Sequence, residues 1–227
     1  MTAARFWSEP HGVALQALSD GLLRQAHGDD RRGNVLLICH PGLAQSVAPY
    51  LQRGARSFGQ AVALSRGRGY AQTAGGSRVE CDSADLPFQD GVFRAVILLH
   101  LVSQGEEGEL SEACRVLAAD GVLLIVGLNR YGWQGLWPRW PATLPRIRPL
   151  CLRQRLEALG MRVEATWGAG LAGRQRPTAM RQGWSMLALP VADVLLIRVR
   201  QGNQGLFNRM RIRKTPAGVA SAGHVVP

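Results

Sequence analysis

The sequence predicts an α/β fold built on a doubly wound, mostly parallel sheet. Two short runs, Val35–Cys39 (VLLIC) and residues 122–127 (VLLIVG), are apolar or Gly throughout, as strands buried on both faces must be. Such runs alternate with stretches of helical periodicity, and that alternation favours parallel pairing with helices on both faces. With 227 residues and 46% hydrophobic content, the chain suffices for one domain with its own core.

The elements follow in order. Residues 9–27 are predicted as a helix, with Ser8 as its cap and Pro10 in its first turn. Val13, Leu15, Leu18, Leu22 and Leu23 form its apolar face. Gly33-Asn34 breaks the chain before the first strand, Val35–Cys39; His40-Pro41-Gly42 turns it, and a helix is expected over 43–51. Residues 60–64 are the second strand. A Gly- and Arg-rich stretch over 66–78 leads to the third, at 78–81. A strand over 92–99, a helix over 106–117 and a strand over 122–127 complete the first five. Residues 130–149 hold three of the six tryptophans and four of the twelve prolines, and are read as an insertion without regular structure. A helix over 150–159, stopped by Gly160, precedes a strand over 161–167; a loop over 168–190 leads to a seventh strand at 191–199. The domain is therefore expected over 1–200, and a basic, disordered tail over 201–227.

Composition narrows the function classes. Cys39, Cys81, Cys114 and Cys151 lack CxxC spacing, so neither a zinc site nor a disulfide framework is expected, and a reducing cytoplasm fits. The start, MTAARFWSEP, lacks the basic-then-apolar pattern of a signal peptide. The formal net charge of +11 is unevenly placed. Residues 1–129 hold 11 arginines against 13 carboxylates, and residues 130–227 hold 16 basic residues against 3. A polyanion, either RNA or an anionic membrane surface, is the partner such a basic half suggests through residues 130–214. Lys214 is the only lysine, however, so arginine is this chain's default cation.

Two strings are more specific. Asp85-Leu86-Pro87-Phe88-x-Asp90-Gly91-x-Phe93 precedes the fourth strand, and Arg115-Val116-Leu117-x-x-Asp120-Gly121 precedes the fifth. Together with the helix–Gly160-Met161-Arg162-Val163 turn, they resemble class I S-adenosylmethionine-dependent methyltransferases of the methyltransferase type 11 domain family. The resemblance covers residues 78–129 well, 9–43 and 150–200 in patches, and nothing beyond. It implies a three-layer Rossmann-like fold with seven strands, the last one antiparallel in a C-terminal hairpin. It also implies S-adenosylmethionine as cofactor. Asp82 then matches the acid that accepts a hydrogen bond from the adenine amino group, and the Ser83 N–H faces adenine N1. A carboxylate suits the first contact because it only accepts. Asp82 is otherwise an ordinary turn acid.

The rest of the cofactor site departs from the family pattern. Its first motif is a Gly-rich turn after strand one, where glycine lets the backbone approach the ligand closely. Here that stretch reads Leu37-Ile38-Cys39-His40-Pro41-Gly42-Leu43, and Gly42 alone remains. The acid expected at the end of strand two, which holds the ribose hydroxyls, has only Ala63, Leu64 and Ser65 in its place. Residues 31–79 contain no Asp or Glu. A hydrogen bond to a charged group is worth about 1.5–3 kcal/mol, so losing two weakens binding by roughly 10²-fold or more. Arg94 stands where the family has Asp and reads as a surface exchange.

For catalysis, His100 at the end of strand four is the candidate base, either that or a histidine packed beside the last turn of its strand. Asn129, after strand five, is a candidate for the substrate side, or else a turn residue. Trp133, Leu136, Trp137 and Trp140 fall at helical spacing among Arg130, Arg139, Arg146 and Arg148. They pack on the core, form a lid, lie in a membrane interface or stack on RNA. The sequence thus points to an S-adenosylmethionine-dependent methyltransferase of unnamed acceptor with a weakened cofactor site. The alternative is a catalytically inactive module of the same fold that binds a partner, RNA or an anionic membrane through its basic C-terminal part.

Overall fold

A computed structural model describes residues 3–26, 34–39, 43, 61–65, 77–79, 83–102, 107–132, 144–170, 178–180 and 192–202. The helices are α1 (Ala3–Ser8), α2 (Pro10–Ala26), α3 (Glu107–Val116) and α4 (Pro149–Ala158). The strands are β1 (Val35–Cys39), β2 (Ala61–Ser65), β3 (Ser77–Val79), β4 (Phe93–Leu99), β5 (Leu117–Asn129), β6 (Arg146–Ile147), β7 (Met161–Ala169), β8 (Thr178–Met180) and β9 (Val194–Gln201). They form one sheet in the order β3-β2-β1-β4-β5-β9-β7-β8, with β6 joined to β5. β1 to β5 are parallel, whereas β9 runs antiparallel between β5 and β7.

The apolar runs explain the layering. Because side chains alternate along a strand, Val35, Leu37 and Cys39 of β1 enter one core with Phe6, Trp7, Leu15, Leu18 and Leu22 of α1 and α2. Leu36 and Ile38 enter the other, with Leu110 and Val116 of α3 and Leu152 and Leu156 of α4. A strand between two helical layers must be apolar at every position, which is why VLLIC reads as a continuous run.

All seven expected strands are present, together with two more. β6 lies inside the stretch 130–149 that the sequence marks as irregular; its two residues pair in parallel with Leu128 and Asn129. β8 lies inside the expected loop 168–190 and pairs with β7, which itself continues to Ala169. Strands of two or three residues carry too little periodicity to be read from sequence. The first helix is broken at Glu9, so Ser8 ends α1 and does not cap α2, while Pro10 opens α2. Leu15, Leu18, Leu22 and Leu23 are buried as expected, but Val13 faces solvent. The helix before β5 ends one residue early, and Leu117 already pairs with Phe93. Of the helix expected over 43–51 only Leu43 is described; the four Trp/Leu positions from 133 to 140 and the tail after 202 lie outside the described residues. Among the described residues, no helix is long and apolar enough to cross a membrane, and no group of three or more His, Cys, Asp or Glu is placed to hold a metal ion.

Candidate functional site

In an open α/β sheet, ligands lie in the crevice beyond the carboxyl ends of the strands, where the strand order reverses. Here that point falls between β1 and β4, whose last residues Cys39 and Leu99 are paired; Ser65, the last residue of β2, lies beside Cys39 on the other side. The residues at and after these ends form the candidate site.

On one side of the crevice, the loop between β3 and β4 is held firmly onto α3. Ser83 is buried and donates its hydroxyl to Glu109 Oε1 at 2.5 Å, and Glu109 is itself buried. The Leu86 N–H donates to Glu112 Oε2. Arg115 donates to Glu112, to Asp90 and to the carbonyls of Leu86 and Phe88. The hydrogen bond from Arg115 holds the Glu112 carboxyl below the usual carboxylate range, against the opposing pull of burial. The same bond raises the Arg115 pKa still further. Phe88 meets Phe93 edge-on at 5.0 Å, closing the loop over the start of β4. The strings that carry the resemblance are therefore one clamp, in which the LPF-x-DG loop is tied down by the helix that ends in Arg115-Val116.

Beyond β4, His100 is buried at 1% exposure, with a positive φ of 50°. Its ring lies 4.7 Å from that of Trp7, and its Nε2 is 2.9 Å from Ser19 Oγ. Ser19 gives its one proton to the Leu15 carbonyl, so its oxygen accepts from Nε2–H. The ring thus joins the end of β4 to α1 and α2. Asn129 is fully buried; its amide donates to the Ala192 carbonyl and accepts from the Tyr131 N–H, fastening the turn after β5 to the start of β9. Asp82, Gly42 and His40 lie outside the described residues, so the structure brings none of them to His100 or Ser83. Arg94 is exposed and pairs with Asp120 at 3.0 Å. Sequence reading missed Glu109, because a carboxylate in a helix reads as a solvated face until its buried partner is seen.

The β3–β4 loop is built and fixed where the adenine acid is expected, whereas β2 ends in Ser65, with no carboxylate in its sequence neighbourhood.

No protein-family model matches the chain, and no curated protein matches its sequence. Its backbone does resemble solved structures. An S-adenosylmethionine-dependent methyltransferase from Thermotoga maritima superposes with a TM-score of 0.62 at 13% identity, covering 87% of this chain and 93% of that one. One from Archaeoglobus fulgidus gives 0.59 at 14% identity, covering 82% and 94%. One from Aquifex aeolicus gives 0.52 at 12% identity, covering 86% and 95%. The chain has the class I methyltransferase fold. Within that methyltransferase fold, β9 is the antiparallel strand inserted beside β5, and the described clamp sits on the loop after β3.

Proposed function

We propose that the protein is an S-adenosylmethionine-dependent methyltransferase whose cofactor site is weak on the ribose side. The observation that carries this reading is the clamp over residues 83–92. A buried Ser83–Glu109 bond and the Arg115 network keep in place the loop that an adenine-binding acid at Asp82 requires. Burying a carboxylate is costly, and here it fixes the one part of the site whose sequence still matches the family. Gly42, Asp82 and Ser83 are the residues that would hold the cofactor. When bound, the cofactor would supply an electrophilic methyl group. His100 is read as a packing residue, since its Nε2 is engaged by Ser19 and its ring is sealed by Trp7. Asn129 is read as a turn residue on the acceptor side of the sheet.

Calorimetry with S-adenosylhomocysteine tests this. Wild-type protein is expected to bind it, and Asp82→Ala to bind it at least ~10-fold more weakly. Ser65→Glu, which restores an acid at the end of β2, is expected to tighten binding by ~10-fold or more. Absence of heat at millimolar ligand in both wild type and Ser65→Glu sinks the proposal.

The acid-free stretch 31–79 favours a second reading, a catalytically inactive module of this fold that engages RNA or an anionic membrane through residues 130–214. On that reading, binding to RNA or anionic vesicles falls steeply with salt, and S-adenosylhomocysteine does not compete.

A further inference from the structure

The short strand β6 has a position that decides what faces the crevice. β9 covers one edge of β5 from Val122 to Leu128. β4 covers the other edge, and its last pair is Leu99 with Val126. β6 pairs with Leu128 and Asn129, so it must lie on the β4 edge, directly beyond the end of β4. The Arg130 N–H donates to the Ile147 carbonyl, which brings Arg130 to the same place. Ile147 points into the core beneath α3 and α4, where it fills the space a side chain at Gly127 would take, with Cγ1 2.7 Å from a Cβ built there. Arg146 and Arg148, one residue either side in an extended backbone, therefore point to the opposite face, the face of α1 and α2. Arg130, Arg146 and Arg148 therefore all lie beyond the end of β4.

Their own segment holds no acid: residues 121–156 contain six arginines and no Asp or Glu. No ion pair joins Arg130 or Arg148 to a carboxylate among the described residues. Arg148 is half-buried, and its Nε is shut off from solvent without a hydrogen-bond partner. A buried guanidinium N–H left unpaired is costly and calls for an explanation. Arginine presents a planar fork of donors that matches carboxylate and phosphate oxygens. The half-burial of Arg146 and Arg148 separates this cluster from an open polyanion-binding surface, whose cations would stand in water.

We infer that Arg130 and Arg148 form an anion subsite beyond the end of β4 that receives a carboxylate or phosphate group of a small methyl acceptor. The assignment of that anion to an acceptor rests on the methyltransferase reading; the subsite itself does not.

The test uses the full chain and titrates it with inorganic pyrophosphate and with citrate at constant ionic strength. Wild type binds at least one of them. Arg148→Ala and the exposed-site variant Arg130→Ala each weaken that binding by about 10-fold or more. Arg153→Ala, on the exposed side of α4 where Arg153 pairs with Glu157, leaves it unchanged. Failure of wild type to bind either anion, or equal binding by Arg148→Ala and Arg130→Ala, overturns the subsite; Arg130→Ala keeps the test open if Arg148→Ala does not fold. S-adenosylhomocysteine and 5′-methylthioadenosine, which lacks the carboxylate, separate the two sources of the anion. If the variants lose affinity for the first and keep it for the second, the arginines hold the cofactor's own carboxylate and the acceptor assignment is overturned. If wild type binds neither nucleoside while the anions still bind through the arginines, the methyltransferase reading fails and the subsite stands.

Discussion

Arg115 shows how much one side chain can organise. It spans from α3 to the loop before β4, where it donates to the Leu86 and Phe88 carbonyls. Replacing it with Ala leaves the Phe88 carbonyl without its donor, and leaves the Leu86 carbonyl and the Glu112 carboxylate with only one backbone N–H each, from Phe88 and Leu86. Arg115→Ala should cost about 2–3 kcal/mol in urea unfolding, with the loop over 83–92 gaining hydrogen exchange before the rest of the domain. Glu112 adds a pH dependence of defined sign. Its carboxyl titrates lower in the folded protein than its ordinary value of 4.5, so its stabilisation is fully present above that value and is lost as pH falls through the folded one. The stability gap between wild type and Glu112→Gln should therefore be widest near neutrality and close as pH drops below about 4.5. A gap that stays constant on acid titration would show that the ion pair is not what Glu112 contributes.

At the level of elements, the break between α1 and α2 depends on Gly12. A Cβ there would overlap the Phe6 carbonyl oxygen and lie 2.7 Å from Trp7 Cα, so the two helices fold back on each other only over a glycine. The fold-back is what delivers Trp7 to His100 and lets Gln16 donate to the Trp7 carbonyl. Gly12→Ala should destabilise by about 1–3 kcal/mol and shift tryptophan emission to the red as Trp7 becomes hydrated. The sequence made α2 legible through its leucine spacing but not this turn, because a single glycine in an apolar-periodic stretch reads as a tolerated helix residue. The same asymmetry runs through the chain. VLLIC was legible because burial on both faces leaves no choice of residue, and the LPF-x-DG loop because its partners are fixed by backbone geometry. β6, the Ser83–Glu109 bond and the arginine cluster were not, since each is created by neighbours distant in sequence: 26 residues separate Ser83 from Glu109. His100 carried its local signal, the end of a strand, but its environment of Trp7 and Ser19 comes from a segment 81 residues away from it at Ser19.

For the whole molecule, charge and sheet order belong together. The acidic and neutral half builds β1 to β5, and the arginine-rich half supplies β6 to β9. Where β7 and β9 carry this excess inside the sheet, it is locally compensated: Arg198 and Arg200 both reach Glu164, and Arg198 also donates to the Ala26 carbonyl at the end of α2. Beyond the end of β4, no ion pair among the described residues joins Arg130 or Arg148 to a carboxylate.

The place of β9 has a consequence for biosynthesis. Every residue from Val122 to Leu128 pairs across β5 with a partner between Val194 and Arg200, so the centre of the sheet stays open until nearly the last described residue has left the ribosome. Until then β5 presents a bare, strongly apolar edge and β7 a bare mixed one, and unpaired edges recruit other chains. A chain stopped at residue 190 should therefore accumulate as aggregate rather than as a smaller folded domain, which sedimentation of the expressed fragment would reveal. Recovery of a soluble, cooperatively melting fragment would show that β1 to β5 close without their central antiparallel neighbour. The long-range pairing also predicts that the sheet closes only after residues 194–200 have emerged, with β5 dependent until then on whatever shields it.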